Sequence, residues 1–440
     1  MQTKNTINTL KCFTKNITLQ NLRRLYLKNR KNLLFISYYF PPLGGGGVQR
    51  ILKFVKYLDK EKYNIHILTV DARYIKYTKD PSLYKDIPNE ISVHHVSIPD
   101  MNWLFAILGK LHLGFISRIL KNFLFLPDEK IVFFLFSRSL LRKIIMKNQI
   151  DTVILSLPPF GLYKFAPYIK RKYKIPIITD IRDLWTDNFS MIYEHFPVFK
   201  FIRETKYEKR LIENSDFIIT ATEYIKNTLM KKYKINNIET ITNGYDPDDF
   251  IDYAKGRKTN KNKLCFAYIG SLYGHQNPEN LFKAIKRFKN DKFTFDLYGF
   301  VEKGILSRLL SDIKSVRHYG YVPHSSLLRI YEKSDILLLY IGGYDKKKRG
   351  ILTGKLFEYL YTRKPILFIG PTDGEAAGII RKCNAGFIVE DNVDSIYKTI
   401  IDIHKRWENG KLKMKFNNKE ITKYNRELLT RHLERIIDKV

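Results

Sequence analysis

The chain has 440 residues, 44% of them hydrophobic and 28% charged, which is the composition of a folded globular protein and excludes an intrinsically disordered chain. At this length we expect two or three domains. The formal net charge of +33 indicates nucleic acid or an anionic membrane as a partner, unless it only reflects lysine spread along the whole sequence.

The sequence does not support a membrane-spanning or disulfide-stabilised protein. No stretch approaches the roughly 18–20 uncharged apolar residues of a transmembrane helix, and no signal peptide is recognisable. The three cysteines, Cys12, Cys265 and Cys383, are far apart and odd in number, which argues against a disulfide or zinc framework. We therefore expect a cytoplasmic protein.

The N-terminal region predicts a basic extension followed by a βαβ unit. Residues 1–31 contain eight Lys or Arg and no acidic residue, and form either a poorly ordered tail or an arm for a membrane surface. A buried strand at 32–40 is followed by four glycines at 44–47, a helix at 48–58 and a strand at 65–70. The glycines form either a flexible turn or a loop whose backbone approaches a ligand.

Residues 101–126 have the pattern of one amphipathic helix, with apolar residues on one face and basic residues on the adjoining face. The apolar set is Leu104, Leu108, Leu111, Phe115 and Ile119, and the basic set is Lys110, Arg118 and Lys121. Such a helix either lies at a membrane interface or packs against its own domain.

Two predicted strands, at 151–157 and 175–179, precede the sequence Asp180-Ile-Arg-Asp-Leu-Trp. Ligands of open parallel sheets bind at the carboxyl ends of strands, so Arg182 and Asp183 are candidate site residues. The alternative is a structural ion pair.

The first half of the chain ends in helices, strands and a linker. Helices are predicted at 199–214 and 223–233, and strands at 216–220 and 238–242. Asp246 and Asp248 have the spacing of a divalent-metal motif, but we interpret them as turn and helix-cap residues. Residues 251–262 are polar and basic, which predicts a linker.

A second series of alternating strands and helices predicts another parallel sheet. Its strands are predicted at 264–269, 293–298, 317–319, 336–341, 366–369 and 386–389, and its helices near 278–289, 302–313, 324–333, 353–361, 374–382 and 392–408. Gly270, Gly299 and Gly320 each end a strand, which favours a ligand cleft at that edge. An amphipathic helix at 418–440 could cross back to the first half.

The helix at 353–361 has the features of a nucleotide site. Thr353 and Gly354 stand at its start, where unpaired amides and the helix dipole favour a phosphate. Glu358 could accept hydrogen bonds from a ribose diol. An ordinary helix with a solvated glutamate would give the same local pattern.

Together these motifs resemble glycosyltransferase family 4, which are retaining enzymes of the GT-B fold with two doubly wound Rossmann-like parallel-sheet domains facing each other across a cleft. The motifs are FISYYFPPLGGGGVQRILKFVKYL, TDIRDLW, ITNGYDPDDF, FAYIGSL, YGYVPHSSLLRIYEKSDILLL and TGKLFEYL, within residues 32–410. The likeness is closest to the branch that builds bacterial surface polysaccharides.

The resemblance implies four regions in an α/β protein. These are the basic extension at 1–31, an acceptor-binding domain at 32–255, a nucleotide-sugar-binding domain at 256–415 and a C-terminal helix at 416–440. It also implies that Glu358 binds the ribose hydroxyls.

Further donor contacts follow from the same resemblance. Amides around Thr353, Gly354 and Lys355 would hold the diphosphate, helped by the Lys355 side chain. The other donor-binding residues would be Gly45, Gly46, Gly270, Ser271, Gly299 and Val322, with Val322 near the base. Arg182 and Asp183 would be the catalytic residues, beside the reacting sugar or the acceptor hydroxyl.

The sequence departs from the family pattern at three places. The first of two family glutamates, which touches the transferred sugar, is Gly350 here. A basic pair that meets the pyrophosphate is Ser271 and Gln276, so positive charge is expected from residues 346–349, unless these form a solvated loop. Arg182 stands where many members have a histidine, and it cannot act as a general base.

We therefore expect transfer with retention from a UDP- or GDP-sugar to a saccharide or lipid-linked saccharide in capsule, O-antigen or lipopolysaccharide synthesis. We expect no cofactor and no metal, and a position at the inner face of the cytoplasmic membrane through residues 101–126. The alternatives are a GT-B nucleotide-sugar epimerase, a non-catalytic member or a nucleic-acid-binding protein. Nucleic acid is not an expected partner, because no helix-turn-helix, RNA-recognition or zinc signature is present.

Overall fold

The computed structural model describes residues 30–99, 101–120, 125–187, 198–253, 262–272, 278–288, 292–310, 313–323, 326–342 and 346–440. The basic extension predicted at 1–31 lies almost wholly outside the described residues, as does most of the linker predicted at 251–262.

Seven parallel strands form the sheet of the N-terminal domain. They are β1 (Lys31–Ile36), β2 (Tyr63–Val70), β3 (Ser92–Val96), β4 (Thr152–Leu157), β5 (Ile177–Ile181), β6 (Phe217–Thr220) and β7 (Ile238–Thr240). Their spatial order is β3-β2-β1-β4-β5-β6-β7. Every residue of β4 and β5 is buried, because helices cover both faces of the sheet.

Helices connect these strands. They are α1 (Gly46–Tyr57), α2 (Met101–Lys110), α3 (Gly114–Ile119), α4 (Ile131–Asn148), α5 (Phe165–Tyr173), α6 (Val198–Glu213) and α7 (Glu223–Tyr233). A 3₁₀ turn, Phe160–Lys164, links β4 to α5.

The C-terminal domain is built on a six-stranded parallel sheet in the order β10-β9-β8-β11-β12-β13. Its strands are β8 (Leu264–Ile269), β9 (Phe293–Tyr298), β10 (Val316–His318), β11 (Ile336–Tyr340), β12 (Ile366–Ile369) and β13 (Gly386–Val389). Its helices are α8 (Glu279–Lys286), α9 (Lys303–Leu310), α10 (Leu327–Lys333), α11 (Gly354–Thr362), α12 (Glu375–Lys382) and α13 (Val393–Glu408). The prediction of two doubly wound parallel-sheet domains is confirmed.

The chain crosses between the domains twice, and the two crossings pair with each other. The amide of Tyr245 donates to the carbonyl of Tyr424 at 3.0 Å, and the amide of Arg426 donates to the carbonyl of Tyr245 at 2.9 Å. Two helices flank the second crossing, α14 (Asn418–Thr422) and α15 (Arg426–Lys439). These backbone bonds form a two-stranded connection at the floor of the cleft between the domains.

Helix α15 returns to the N-terminal domain, where it packs against α1. Leu433, Ile436 and Ile437 are fully buried in the hydrophobic core of that domain. The side chain of Glu434 accepts a hydrogen bond of 2.8 Å from the amide of Asp59 at the end of α1. The predicted crossing back of the C-terminal helix is confirmed.

Three details of the predicted elements are wrong. The helix predicted at 101–126 is two short helices, because the chain turns at His112, whose φ is 56°. The helix predicted at 418–440 is broken at 423–425, where the backbone pairs with Tyr245 instead. Strand β3 was not predicted, because its sequence SVHHV is a polar edge strand.

Among the described helices, none combines the length and the apolar character that crossing a bilayer requires.

Candidate active site

A cavity of about 770 Å³ lies between the two domains, at the carboxyl ends of both sheets. All the residues that the sequence singled out for donor binding and catalysis line it. They are Gly45, Gly46, Arg182, Asp183, Gly270, Ser271, Gly299, Val322, Thr353, Gly354, Lys355 and Glu358. The fold therefore brings together residues that are more than 300 positions apart in the sequence.

Helix α11 presents Glu358 to this cavity, with its apolar face, including Leu356 and Phe357, fully buried. Oε2 of Glu358 accepts a hydrogen bond of 2.6 Å from the hydroxyl of Tyr331 on α10. The Tyr331 side chain is completely buried, and burial together with the nearby Glu358 charge raises the pKa of its hydroxyl. The carboxylate is thus held in one orientation at the cavity wall.

Lys355 lies one turn before Glu358, over the tip of strand β8. A Cβ atom placed on Gly270 would lie 1.8 Å from Nζ of Lys355, so only glycine leaves room for this amine. The amine also lies 5.4 Å from the centroid of the Tyr268 ring. Burial lowers the pKa of Lys355 to about 8, against a smaller opposite effect of Glu358. A buried cation of this kind is stabilised by an anion bound beside it.

Thr353 caps the start of α11 with an extended backbone and without a side-chain capping hydrogen bond. Its Oγ1 is buried and has no hydrogen-bond partner within the part of the chain that the structure describes. Together with the first amides of the helix, it offers donors to an anionic ligand at the positive end of the helix dipole.

The glycine loop of the N-terminal domain faces α11 from the other side of the cavity. Gly45 precedes α1 with a φ of 88°, a conformation that favours glycine. The loop is tied down by a hydrogen bond of 2.8 Å from the amide of Gly44 to the carbonyl of Thr78. A Cβ on Gly46 would meet no atom within 4 Å, so this position is open to a ligand.

Arg182 directly follows β5, and its guanidinium links the end of β4 to the glycine loop at the start of α1. Nε donates to the carbonyl of Leu157 at 3.1 Å, Nη1 donates to the carbonyl of Gly47 at 2.8 Å, and Nη2 donates to the carbonyl of Pro158. Burial lowers the pKa of Arg182. The side chain therefore fixes the glycine loop against β4.

Asp183 follows Arg182 and also lines the cavity. Burial raises the pKa of its carboxyl group, while the Arg182 charge opposes that rise. Within the described residues it accepts no hydrogen bond, so its oxygens can accept one from a ligand hydroxyl.

Near the floor of the cavity, Asp86, Asp246 and Asp249 lie within 4.8 Å of one another. Nζ of Lys53 occupies the centre of this cluster, at 2.7, 2.6 and 2.9 Å from the three carboxylates in that order. Lys53 and Lys56 hold the pKa of Asp246 at about 2, although burial acts to raise it. A lysine thus stands where a cation would bind, which fits the interpretation of Asp246 as a structural residue.

Gly350, at the position where the resemblance leads us to expect a glutamate, lies at a contact between the domains. A Cβ at this position would come within 2.4 Å of the Tyr224 ring of α7. In the same contact, Glu375 of α12 accepts a hydrogen bond of 3.3 Å from the amide of Glu223 and another from the amide of Tyr224. The space for a side chain at 350 is therefore filled by the other domain.

Of the basic residues at 346–349, the two whose side chains the structure describes, Lys348 and Arg349, do not line the cavity. Lys348 is buried and donates to the carbonyl of Gly342, and Arg349 pairs with Asp373 at 2.9 Å. The side chains of Lys346 and Lys347, like Gln276, lie outside what the structure describes.

Two residues of the site were missed by the sequence analysis. Tyr331 lies 27 positions before its partner Glu358 and looks like any core tyrosine in the sequence. Arg426, the first residue of α15, lines the cavity from the crossing between the domains, and nothing in its local sequence indicates this position.

Solved structures share this architecture over nearly the whole chain. A glycosyltransferase from Rickettsia africae aligns with 93% of this chain and 98% of its own, at a TM-score of 0.61 and 16% identity. The chain has the GT-B fold. The HepE protein of Anabaena, solved with UDP and glucose, aligns with 93% of this chain and 100% of its own, at a TM-score of 0.62 and 11% identity.

Sequence comparison places a family match on the N-terminal domain. Residues 44–249 match the model described as Glycosyltransferase Family 4. A Listeria monocytogenes protein provisionally assigned as a UDP-N-acetylglucosamine 2-epimerase also shares the GT-B fold, with 93% of this chain and 96% of its own aligned, a TM-score of 0.56 and 12% identity. Among curated proteins, none matches the sequence.

Proposed function

We propose that the protein is a retaining glycosyltransferase that moves a sugar from a UDP- or GDP-sugar to a saccharide or lipid-linked saccharide during bacterial surface polysaccharide synthesis. The observation that carries the proposal is the arrangement of Glu358, Lys355 and the start of α11 around one cavity, opposite the glycine loop. The family match at 44–249 and the fold shared with HepE, which was solved with UDP and glucose, support it.

The donor binds mainly to the C-terminal domain. Glu358 accepts hydrogen bonds from the ribose, and Val322 contacts the base. Lys355, Thr353 and the first amides of α11 hold the diphosphate, because a cation and a helix N-terminus favour an anion at the same point. Ser271 and the tips at Gly270 and Gly299 line the phosphate path.

Transfer proceeds by stabilisation of the leaving diphosphate rather than through a glycosidase-like pair of carboxylates. Asp183 accepts a hydrogen bond from the acceptor hydroxyl and orients it toward the sugar. Arg182 is a positioning residue, because its guanidinium holds the glycine loop. Gly45 and Gly46 of this loop close over the donor. Closure of the domains excludes water, which would otherwise hydrolyse the donor.

The protein reaches its acceptor at an anionic membrane surface, to which residues 101–126 bind. Leu111, in the turn between α2 and α3, is 60% exposed, and Phe115 of α3 is 63% exposed. The exposed Lys110 at the end of α2 lies next to Leu111 in the chain. Exposed apolar side chains flanked by lysine favour an anionic lipid surface. Cosedimentation with phosphatidylglycerol vesicles tests this: Leu111→Ser with Phe115→Ser should release the protein, and unchanged binding would contradict it.

Binding of nucleotide sugars tests the central proposal. A thermal-shift screen against UDP-, GDP- and ADP-sugars should raise the melting temperature with at least one donor. Glu358→Ala should remove most of that shift, and it should also lower the ligand-free melting temperature, because the buried Tyr331 hydroxyl loses its acceptor. A wild-type protein that binds no nucleotide sugar would refute the proposal, and unchanged donor affinity in Glu358→Ala would refute the ribose assignment.

A nucleotide-sugar epimerase is the second candidate, because the Listeria protein shares the fold. An epimerase converts the nucleotide sugar without an acceptor. Incubation with the bound donor alone, followed by chromatography, therefore separates the two: an isomer of the donor supports the epimerase, and an unchanged donor supports the transferase.

A further inference from the structure

The C-terminal helix places a buried cation in the wall of the donor cavity. The Arg426 side chain is 4% exposed, and the residue lines the cavity at the point where the chain crosses between the domains. Its Nε donates a hydrogen bond of 3.0 Å to the carbonyl of Gly244, on the neighbouring crossing. This bond fixes the guanidinium at the cavity floor.

The guanidinium of Arg426 has more donors than the surrounding chain accepts. Its Nη1 is buried and makes no hydrogen bond to any of the residues described. Buried donors without an acceptor are rare, and each costs free energy unless a ligand or an ordered water supplies the missing oxygen. This atom has almost no exposed surface in the ligand-free protein, so a small shift of the side chain toward the cavity that Arg426 lines would let a ligand supply that oxygen.

Four charged residues act on this guanidinium. Burial and the Arg50 charge of α1 together lower the pKa of Arg426 to about 10, against the opposite effect of Glu358, Asp246 and Asp249. Asp246 and Asp249 are already paired with Lys53, at 2.6 and 2.9 Å. The third of these acidic residues, Glu358, belongs to α11 and lines the same cavity as Arg426.

We infer that Arg426 binds the donor ribose together with Glu358, by donating a hydrogen bond from Nη1 to a ribose hydroxyl oxygen. A hydroxyl can donate one hydrogen bond and accept another, so it can donate to the Glu358 carboxylate while it accepts from the Arg426 guanidinium. The inference rests on the proposed function and adds a residue to the donor site.

The ribose is the part of the donor that fits this position better than the diphosphate. Lys355 and Thr353 stand at the start of α11, where the helix dipole favours phosphate. Glu358 lies one turn further along the helix. Arg426 bonds the carbonyl of Gly244, and the next residue, Tyr245, packs its ring on Tyr361 near the far end of α11, at a centroid distance of 4.8 Å. Arg426 therefore meets the nucleotide on the ribose side of the diphosphate.

Calorimetric titration of UDP and of its 2′-deoxy and 3′-deoxy analogues tests this inference; if the donor screen selects GDP or ADP, the matching analogues are used. The variants are Arg426→Gln and Arg426→Lys, and the control is Arg431→Gln, which removes an exposed arginine from the same helix. Arg426→Lys keeps the positive charge and most of the side-chain volume, so it carries the test if Arg426→Gln does not fold.

The wild-type protein should bind at least one deoxy analogue about tenfold more weakly than UDP, since a hydrogen bond to a charged group is lost. Arg426→Gln should weaken UDP binding by a similar factor and should reduce the discrimination against that analogue, with the remaining discrimination due to Glu358. Arg426→Lys should lie between the two, and Arg431→Gln should behave as wild type.

Two results would overturn the inference. Equal weakening of UDP and of both deoxy analogues would assign Arg426 to the diphosphate, and unchanged affinity for all three would remove it from the site. Failure of the wild-type protein to bind any nucleotide would instead refute the proposed function on which the inference rests.

Discussion

The hydroxyl of Tyr331 donates a hydrogen bond of 2.6 Å to Oε2 of Glu358, from a ring that is 1% exposed. The ring is stacked on Phe250 at a centroid distance of 6.0 Å and meets the edge of Tyr359 at 5.9 Å. A tyrosine held in this way has little freedom to turn. The carboxylate that we assign to ribose binding is consequently positioned by the aromatic core behind it rather than by its own helix alone.

Removal of this hydroxyl should weaken donor binding while leaving the packing intact. Tyr331→Phe keeps the ring but removes its hydrogen bond to Glu358. We expect the donor dissociation constant to rise about threefold to tenfold, because a less ordered carboxylate costs about 0.5–1.5 kcal/mol to immobilise on binding. The matched control is Tyr253→Phe, which removes a buried hydroxyl that donates to the carbonyl of Thr362 at 3.0 Å in the same core cluster. Both variants should lose some thermal stability. Equal donor affinity in the two would contradict the positioning role of Tyr331.

Donor binding should depend on the protonation of Lys355. Burial lowers the pKa of this amine to about 8, and only the protonated form attracts a diphosphate, so affinity should decline as the pH rises past about 8. Lys355→Met should bind weakly at every pH, whereas Lys355→Arg should bind with a flatter pH profile because arginine stays charged. Titration calorimetry between pH 6.5 and 9.5, a range chosen around that pKa, measures this; a wild-type profile as flat as that of Lys355→Arg would count against it.

The same amine has a predictable effect on the stability of the ligand-free protein. Its pKa in the folded protein, about 8, is lower than the ordinary value of 10.5 that applies when the chain is unfolded. Between these values the unfolded state binds more protons, so this group makes the folded state more stable as the pH rises. Lys355→Met should lack that gain in a comparison of melting temperatures.

Gly270→Ala should impair donor binding, and it should also lower the melting temperature, because Gly270 has a φ of 155° that alanine rarely adopts. The new Cβ would lie 1.8 Å from Nζ of Lys355, which is the mobile end of a long side chain and can move aside, but then leaves its position over the strand tip. Gly304→Ala is the control, since a Cβ in that exposed helix meets no atom within 4 Å. Donor affinity should fall in the first variant and remain unchanged in the second. Normal affinity in Gly270→Ala would show that the position of Lys355 over β8 is not needed.

Substitutions of Arg182 and Asp183 should have different effects on stability and on turnover. Arg182→Ala removes three side-chain hydrogen bonds, to the carbonyls of Leu157, Gly47 and Pro158, so it should lower both the melting temperature and the turnover number. Asp183→Asn breaks no hydrogen bond of the described chain, and should lower turnover by about tenfold or more with donor affinity unchanged. Steady-state kinetics with calorimetry separate these effects. A normal turnover number in Asp183→Asn would remove this residue from the reaction.

Activity should persist in excess chelator. Lys53 occupies the centre of the carboxylate cluster at the cavity floor. In our proposal, Lys355 and the start of α11 supply the positive charge for the diphosphate. Transferase assays with and without EDTA measure this directly. Complete loss of activity in EDTA, restored by Mg²⁺ or Mn²⁺, would require a different account of the leaving group.

The sequence predicted well where the strands end, but it did not predict which distant side chains contact the site at those ends. Runs such as β8 and β12 are bounded by glycine or proline, so their ends, and the ligand edge of the sheet, follow from local pattern. Tyr331 and Arg426 could not be found in this way, because their roles depend on side chains that only the tertiary fold brings near.

Local pattern also failed where tertiary contacts decide the backbone. The break at 423–425 exists because this segment pairs with Tyr245, nearly 180 positions earlier in the chain. The turn at His112 interrupts a helical periodicity that the sequence carries without a glycine or proline at that residue. In the same way, only the fold reveals that Tyr224 fills the space beside Gly350.

The return of α15 to the N-terminal domain has a consequence for biosynthesis. Leu433, Ile436 and Ile437 belong to the core built by β1 and its neighbours, so that core stays unfinished until residues 426–439 have been translated. During synthesis, the C-terminal domain can therefore complete its core before the N-terminal domain receives its last helix, α15. Folding order along this polypeptide is therefore expected to run opposite to the order of synthesis.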